Sequence, residues 1–148
     1  MPGRSDRPTG RPSDVRSIAV RTEDVVTALE LRMRSSDRVI LRLTPPYAPR
    51  MRARLHRPES EEYEGSDAAD RPIHVDPESL VSAVPSYPEP DETETELRES
   101  GQYSTEAHHE RHREAVAEWR ATVSVRLVDH VVVDAPEGPH RVTVKRLG

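Results

Sequence analysis

The sequence predicts an α+β fold: two β-α-β-β units form one antiparallel or mixed sheet, helices pack on one face, and a long third helix is inserted in the second unit. Three observations predict it. Ile18-Ala-Val20-Arg-Thr-Glu23-Asp-Val-Val26-Thr-Ala28 lies without gaps on Ile73-His-Val75-Asp-Pro-Glu78-Ser-Leu-Val81-Ser-Ala83, and each copy reads as a short strand running into a capped helix. Two Pro-x-x-Pro connectors, Thr44-Pro-Pro46-Tyr-Ala-Pro49 and Asp134-Ala-Pro136-Glu-Gly-Pro139, each join two alternating apolar runs. The order of these elements is the same in both halves.

Taken in order, residues 1–15 hold Pro, Gly and Arg without apolar periodicity and read as a disordered tail. A single α+β domain is expected over 16–148. Its first strand covers 16–20. Thr22 is a fitting N-cap, and Glu23 and Asp24 occupy the first turn, where the helix dipole favours anions. Val25, Val26, Leu29 and Met33 share one side at helical spacing, which predicts a helix over 23–34. Val39, Leu41 and Leu43, then Met51, Ala53 and Leu55, alternate with polar residues, which predicts an antiparallel hairpin with one wet face.

Residues 58–71 read as an acidic loop and 72–75 as a short strand. Asp76-Pro77-Glu78 is a helix start (cap, proline at the first helical position, then an acid), and Pro85 stops that helix early. The Pro-spaced, acidic stretch 85–102 reads as a linker holding at most one weak helical turn closed by Gly101. The long helix starts near Ser104. His108, His112, Val116, Trp119 and Val123 form its inner stripe with Trp119 as anchor. Val123, Val125 and Leu127 alternate like a strand, while Val123 and Leu127 also extend the helical stripe; the echo favours helix to about residue 125, so that strands 129–134 and 141–147 mirror the first hairpin.

Composition bounds the function. The 148 residues are a third apolar and lack Phe, so the core is small. Cysteine is absent, which excludes disulfides, thiolate metal sites and a cysteine nucleophile. No apolar run approaches the ~18 residues of a membrane span, and no secretory pattern opens the chain, so a cytoplasmic protein without membrane contact is expected. Lys145 is the only lysine in a set of 22 Lys and Arg, against 27 acids. Charge is segregated. Residues 1–57 hold 13 Arg and 6 acids, 58–99 hold 14 acids and 2 Arg, and the remainder balances at 7 and 7.

Arg38, Arg42, Arg50, Arg52 and Arg54 are the candidate anion- or nucleic-acid-binding residues. The predicted hairpin places them on one side, and guanidinium pairs with phosphate in bidentate fashion. Against that use, Tyr47 is the one aromatic residue nearby for base stacking. The acidic region 58–99 also supplies counter-charge within the chain. His108 and His112 stand one helical turn apart, a spacing that suits two ligands of one divalent ion. A third would come from His56, His74, His130, His140 or a carboxylate, and the sequence selects none. The His-Glu-x-x-His protease motif fails, because His109-Glu110-Arg111-His112 is one residue short. The six glycines are isolated, so no Gly-rich phosphate loop exists, and there is no Gly-x-Ser-x-Gly turn. No catalytic residue, cofactor or resident metal is expected.

Ser17-Ile-Ala-Val-Arg-Thr-Glu-Asp-Val-Val-Thr-Ala-Leu-Glu30, Thr44-Pro-Pro46, Met51-Arg-Ala-Arg-Leu-His56 and Gly138-Pro-His-Arg-Val-Thr-Val-Lys145 carry a resemblance. Residues 16–148 look like a small-protein family of halophilic archaea to which no function is assigned. The resemblance implies a salt-adapted, cytoplasmic origin and carries over no activity, ligand or site. The leading reading is therefore a non-enzymatic module that binds another macromolecule, a protein or a second copy of itself. The alternatives are nucleic-acid binding through the arginine hairpin and a metal-dependent enzyme using His108 and His112.

Overall fold

The computed structural model describes residues 10–35, 37–58 and 71–148. The α+β class holds, with three α-helices and seven strands among the described residues. Two compact units divide the chain: 1–82 together with 127–148, and 83–126. The first holds both sheets and the first helix, and the second holds the other two helices.

Strand β1 (Ser17–Arg21) alternates buried Ile18 and Val20 with Ser17, Ala19 and Arg21. Helix α1 (Thr22–Arg34) follows at once, its N-cap being Arg21 rather than Thr22, a one-residue shift at a helix end. Val25, Val26, Ala28, Leu29 and Glu30 are buried, and the helix lies against β1, β2 and β4. Burying Val25 and Leu29 stabilises by roughly 1.5–3 kcal/mol each. Arg32 anchors its last turn, donating to the Val39 carbonyl at 3.1 Å and pairing with Asp76 at 2.8 Å.

The next strands depart from expectation. β2 (Ile40–Leu43) does not form a simple hairpin with the segment after the prolines, and one sheet is replaced by two. β3 (Arg50–Arg52) runs parallel to β1, and only β4 (Arg54–His56) pairs antiparallel with β2. The cause is where the backbone groups go. The Pro49 carbonyl accepts from the amides of Arg16 and Ser17, and the Ala53 amide donates to the Ala19 carbonyl. Residues 49–53 are thereby committed to β1. Ala53, fully buried, marks the crossing from one sheet to the other.

β5 (Ile73–Val75) flanks β2 on its other side, giving a three-stranded antiparallel sheet in the order β4-β2-β5. The helix expected after Asp76 is a 3-10 turn over Pro77–Leu80, capped as predicted by the Asp76 carboxylate on the Glu78 amide. β6 (His130–Ala135) and β7 (Gly138–Leu147) form the final hairpin, and β7 lies parallel to β1 in the four-stranded order β3-β1-β7-β6.

The two echoing segments thus adopt unlike structures. One is a strand and a 13-residue α-helix, and the other a strand and a four-residue 3-10 turn in a different sheet. The connectors differ too. Residues 134–139 make a tight turn with Ala135 opposite Gly138, while 44–49 cross between sheets. Residues 10–15, expected as part of the tail, take up defined structure. From Gly10 onward the chain bridges Tyr47, turns once as a 3-10 helix over Pro12–Asp14, and buries Val15. Residues 1–9, and 59–70 of the acidic loop, lie outside the described residues.

In the second unit the linker expected over 85–102 contains helix α2 (Pro90–Glu99). Gly101, at φ +73°, closes it: its amide donates to the Arg98 carbonyl and the Gln102 amide to that of Leu97, the paired bonds of a Schellman end. Helix α3 (Thr105–Ser124) begins where expected, with the Ser104 hydroxyl accepting from the Ala107 amide. It also ends where expected. α2 and α3 pack on each other, and Trp119 is buried with its indole N–H donating to the Pro85 carbonyl and Tyr87 edge-on at 5.0 Å. No helix among the described residues is long and apolar enough to cross a membrane.

Candidate functional site

The alternation of the four-stranded sheet separates two faces. Ile18, Val20, Val131, Val133, Val142 and Val144 are buried on one. The opposite face carries Ser17, Ala19 and Arg21 from β1, Arg50 and Arg52 from β3, Arg141, Thr143, Lys145 and Leu147 from β7, and His130, Val132 and Asp134 from β6. Register orders these residues into rows. Arg50, Ser17, Thr143 and His130 form one row and Arg52, Ala19 and Lys145 the next. Arg21 stands beside Leu147, and Arg141 beside Val132.

The result is a centre of small residues ringed by cations. Neighbouring strands lie about 4.8 Å apart, so the Cα atoms of Arg52 and Lys145, two strands distant, are about 10 Å apart. Arg21, Arg50, Arg141 and Lys145 are exposed, and Ser17, Ala19 and Thr143 half-buried. Arg52 is half-buried, and its Nε is a buried donor without a partner among the described residues. Two ion pairs of this unit, Arg32–Asp76 and Arg57–Asp37, use residues outside this face. Two apolar side chains share the face with the cations: Val132 at 57% exposure and Leu147 at 41%.

Of the five predicted arginines, Arg50 and Arg52 belong to this face. Arg42 and Arg54 stand directly opposite one another on the other sheet, and exposed Arg38 precedes β2. The expected single arginine side is thus split at Ala53. Arg21, His130, Arg141 and Lys145 went unrecognised. Their signal was the polar alternation of Arg141-Val-Thr-Val-Lys145 and of Ser17-Ile-Ala-Val-Arg21. What joins them to Arg50 and Arg52 is parallel pairing across distant segments, which no local pattern records.

His108 and His112 lie on α3 with ring centroids 6.3 Å apart, nearly stacked. The His108 Nε2–H donates to the Pro90 carbonyl at 2.8 Å, and His112 Nδ1 meets the Thr93 hydroxyl at 3.5 Å. Both imidazoles are thus used in joining α3 to α2. Among the described residues no group of three or more His, Asp or Glu is placed to hold a metal ion. Nearby, Arg111 reaches Glu96, Glu114 and Glu118, and Glu96 foremost holds its pKa above the ordinary arginine value.

The chain belongs to the family described as domain of unknown function (DUF8009), whose model matches residues 4–148. No curated protein matches it. No solved structure matches it either.

Proposed function

We propose that this chain is a non-catalytic interaction module and that the cation-ringed face of its four-stranded sheet takes an acidic protein surface. The observation that carries the reading is the mixture on that face: five Arg and Lys side chains interleaved with exposed Val132 and Leu147. Arginine with apolar neighbours is the composition of a protein-binding patch. A nucleic-acid groove would present Phe, Tyr or Trp rings for stacking, and this face carries none of the three. Long-range charge raises encounter rates with an acidic partner, and contact with the apolar pair then slows its release.

A photo-crosslinking residue at Val132 tests this, with the same residue at exposed Ala121 as control. The expected result in a native lysate is a protein adduct at 132 that resists nuclease and vanishes in the double variant Arg50→Glu, Lys145→Glu. An adduct of twice the chain's mass would identify the acidic partner as a second copy. A nuclease-sensitive adduct would replace the protein with nucleic acid. Equal labelling at 132 and 121, with monomeric bait on sizing, would end the proposal.

A further inference from the structure

We propose that the partner enters the cation-ringed face with one Asp or Glu carboxylate seated against Arg52, over the floor that Ala19 makes, with Lys145 on the far side. The inference rests on the reading of that face as a protein-binding surface and names the group the surface grips. Parallel pairing puts Ala19 directly between Arg52 of β3 and Lys145 of β7. A methyl group between two long cationic side chains leaves a gap, with about 10 Å between their Cα atoms. Ser17 and Thr143, in the next row of the same face, are also small and carry hydroxyls.

Arg52 differs from the other cations of this face. Arg21, Arg50, Arg141 and Lys145 are exposed, whereas Arg52 is half-buried and its Nε–H is buried with no partner among the described residues. No ion pair among the described residues engages its guanidinium. A charge that has given up part of its hydration without an internal counter-charge gains more from an incoming anion than a fully solvated one does. Burial has also restricted its stem already, so pairing costs it less side-chain entropy than it costs exposed Arg50. The buried Nε closes one edge of the fork and leaves the edge formed by Nη1 and Nη2. That edge offers two parallel N–H donors, which match the two oxygens of a planar carboxylate. Partly desolvated arginines are the kind of residue on which binding energy concentrates. Leu147 lies two residues beyond Lys145 on the same face, so an apolar neighbour of the carboxylate has a contact of its own.

Isothermal titration of the whole chain with a capped octaglutamate peptide, the matching octaglutamine and a phosphoserine peptide tests the seat. Octaglutamate is expected to bind and octaglutamine to give no heat. Arg52→Lys keeps the charge and removes the fork, and is expected to weaken octaglutamate about tenfold, since one charge-assisted bond accounts for roughly that factor. Ala19→Leu fills the gap with every charge in place and is expected to weaken it as much. Where Ala19→Leu perturbs folding, seen by circular dichroism, Arg52→Lys alone decides. Arg50→Lys, at an exposed position, is expected to change the affinity by less than about twofold. Wild-type affinity in Arg52→Lys would overturn the seat and leave the interaction face standing, because charge alone would then suffice. Tighter binding of the phosphoserine peptide, lost in Arg52→Lys, would overturn the carboxylate as the gripped group. Absence of octaglutamate binding would overturn the seat as well, and the adduct at Val132 then decides the face by itself.

Discussion

Tyr47 follows Pro46 in a connector that reads, from sequence, as the Pro-x-x-Pro turn of a hairpin, and it is almost fully buried with its hydroxyl donating to the Arg71 carbonyl. Burial pushes its phenol up to about 12, above the ordinary value near 10. A folded-state pKa raised above the unfolded one gives stability that is complete below pH 10 and is lost as pH rises through about 12. Tyr47→Phe is therefore expected to cost about 1 kcal/mol at neutral pH through the lost hydrogen bond. It is also expected to flatten the alkaline unfolding curve monitored by circular dichroism. Retention of the wild-type alkaline transition in Tyr47→Phe would show that another group drives it. The sequence offered no way to see this residue as core, because the partner carbonyl is 24 residues away.

Among the helices, legibility followed the number of apolar positions. α3 was readable at its start, since Ser104 is a strong cap and Trp119 and Val123 mark a stripe, whereas its end near 125 rested on the echo alone. α2 was not, because only Thr93 and Leu97 are buried, one turn apart, within an acidic run opened by proline. Two positions make no periodicity, and what secures the helix is its Schellman end and its packing on α3, neither visible locally. Trp119→Ala is expected to destabilise by about 3–5 kcal/mol, through lost packing, including the edge-on Tyr87 ring, together with the hydrogen bond to Pro85. Hydrogen exchange should then rise across α2 and α3. Unchanged protection there would refute the anchoring role.

For the molecule as a whole, class and most element positions were in the sequence, whereas strand pairing was not. The echo between 18–28 and 73–83 placed strands correctly but implied a repeat, and the register instead pairs segments from distant parts of the chain. The second unit leaves and returns at neighbouring points: Val81 bridges Leu127, and the Val128 amide donates to the Leu80 carbonyl at 3.0 Å. Replacing 83–126 by a short Gly-Ser linker is thus expected to leave a folded first unit, detected by dispersed amide signals from β1 and β7. A collapsed spectrum would show that the inserted helices are required for folding. One further consequence follows from β1, which takes β3 on one side and β7, more than a hundred residues later, on the other. During synthesis the ribosome must add more than a hundred further residues before that central ribbon gains its second neighbour. The nascent chain therefore carries an unzipped strand edge over that interval, and its refolding rate belongs with those of topologies dominated by remote pairing.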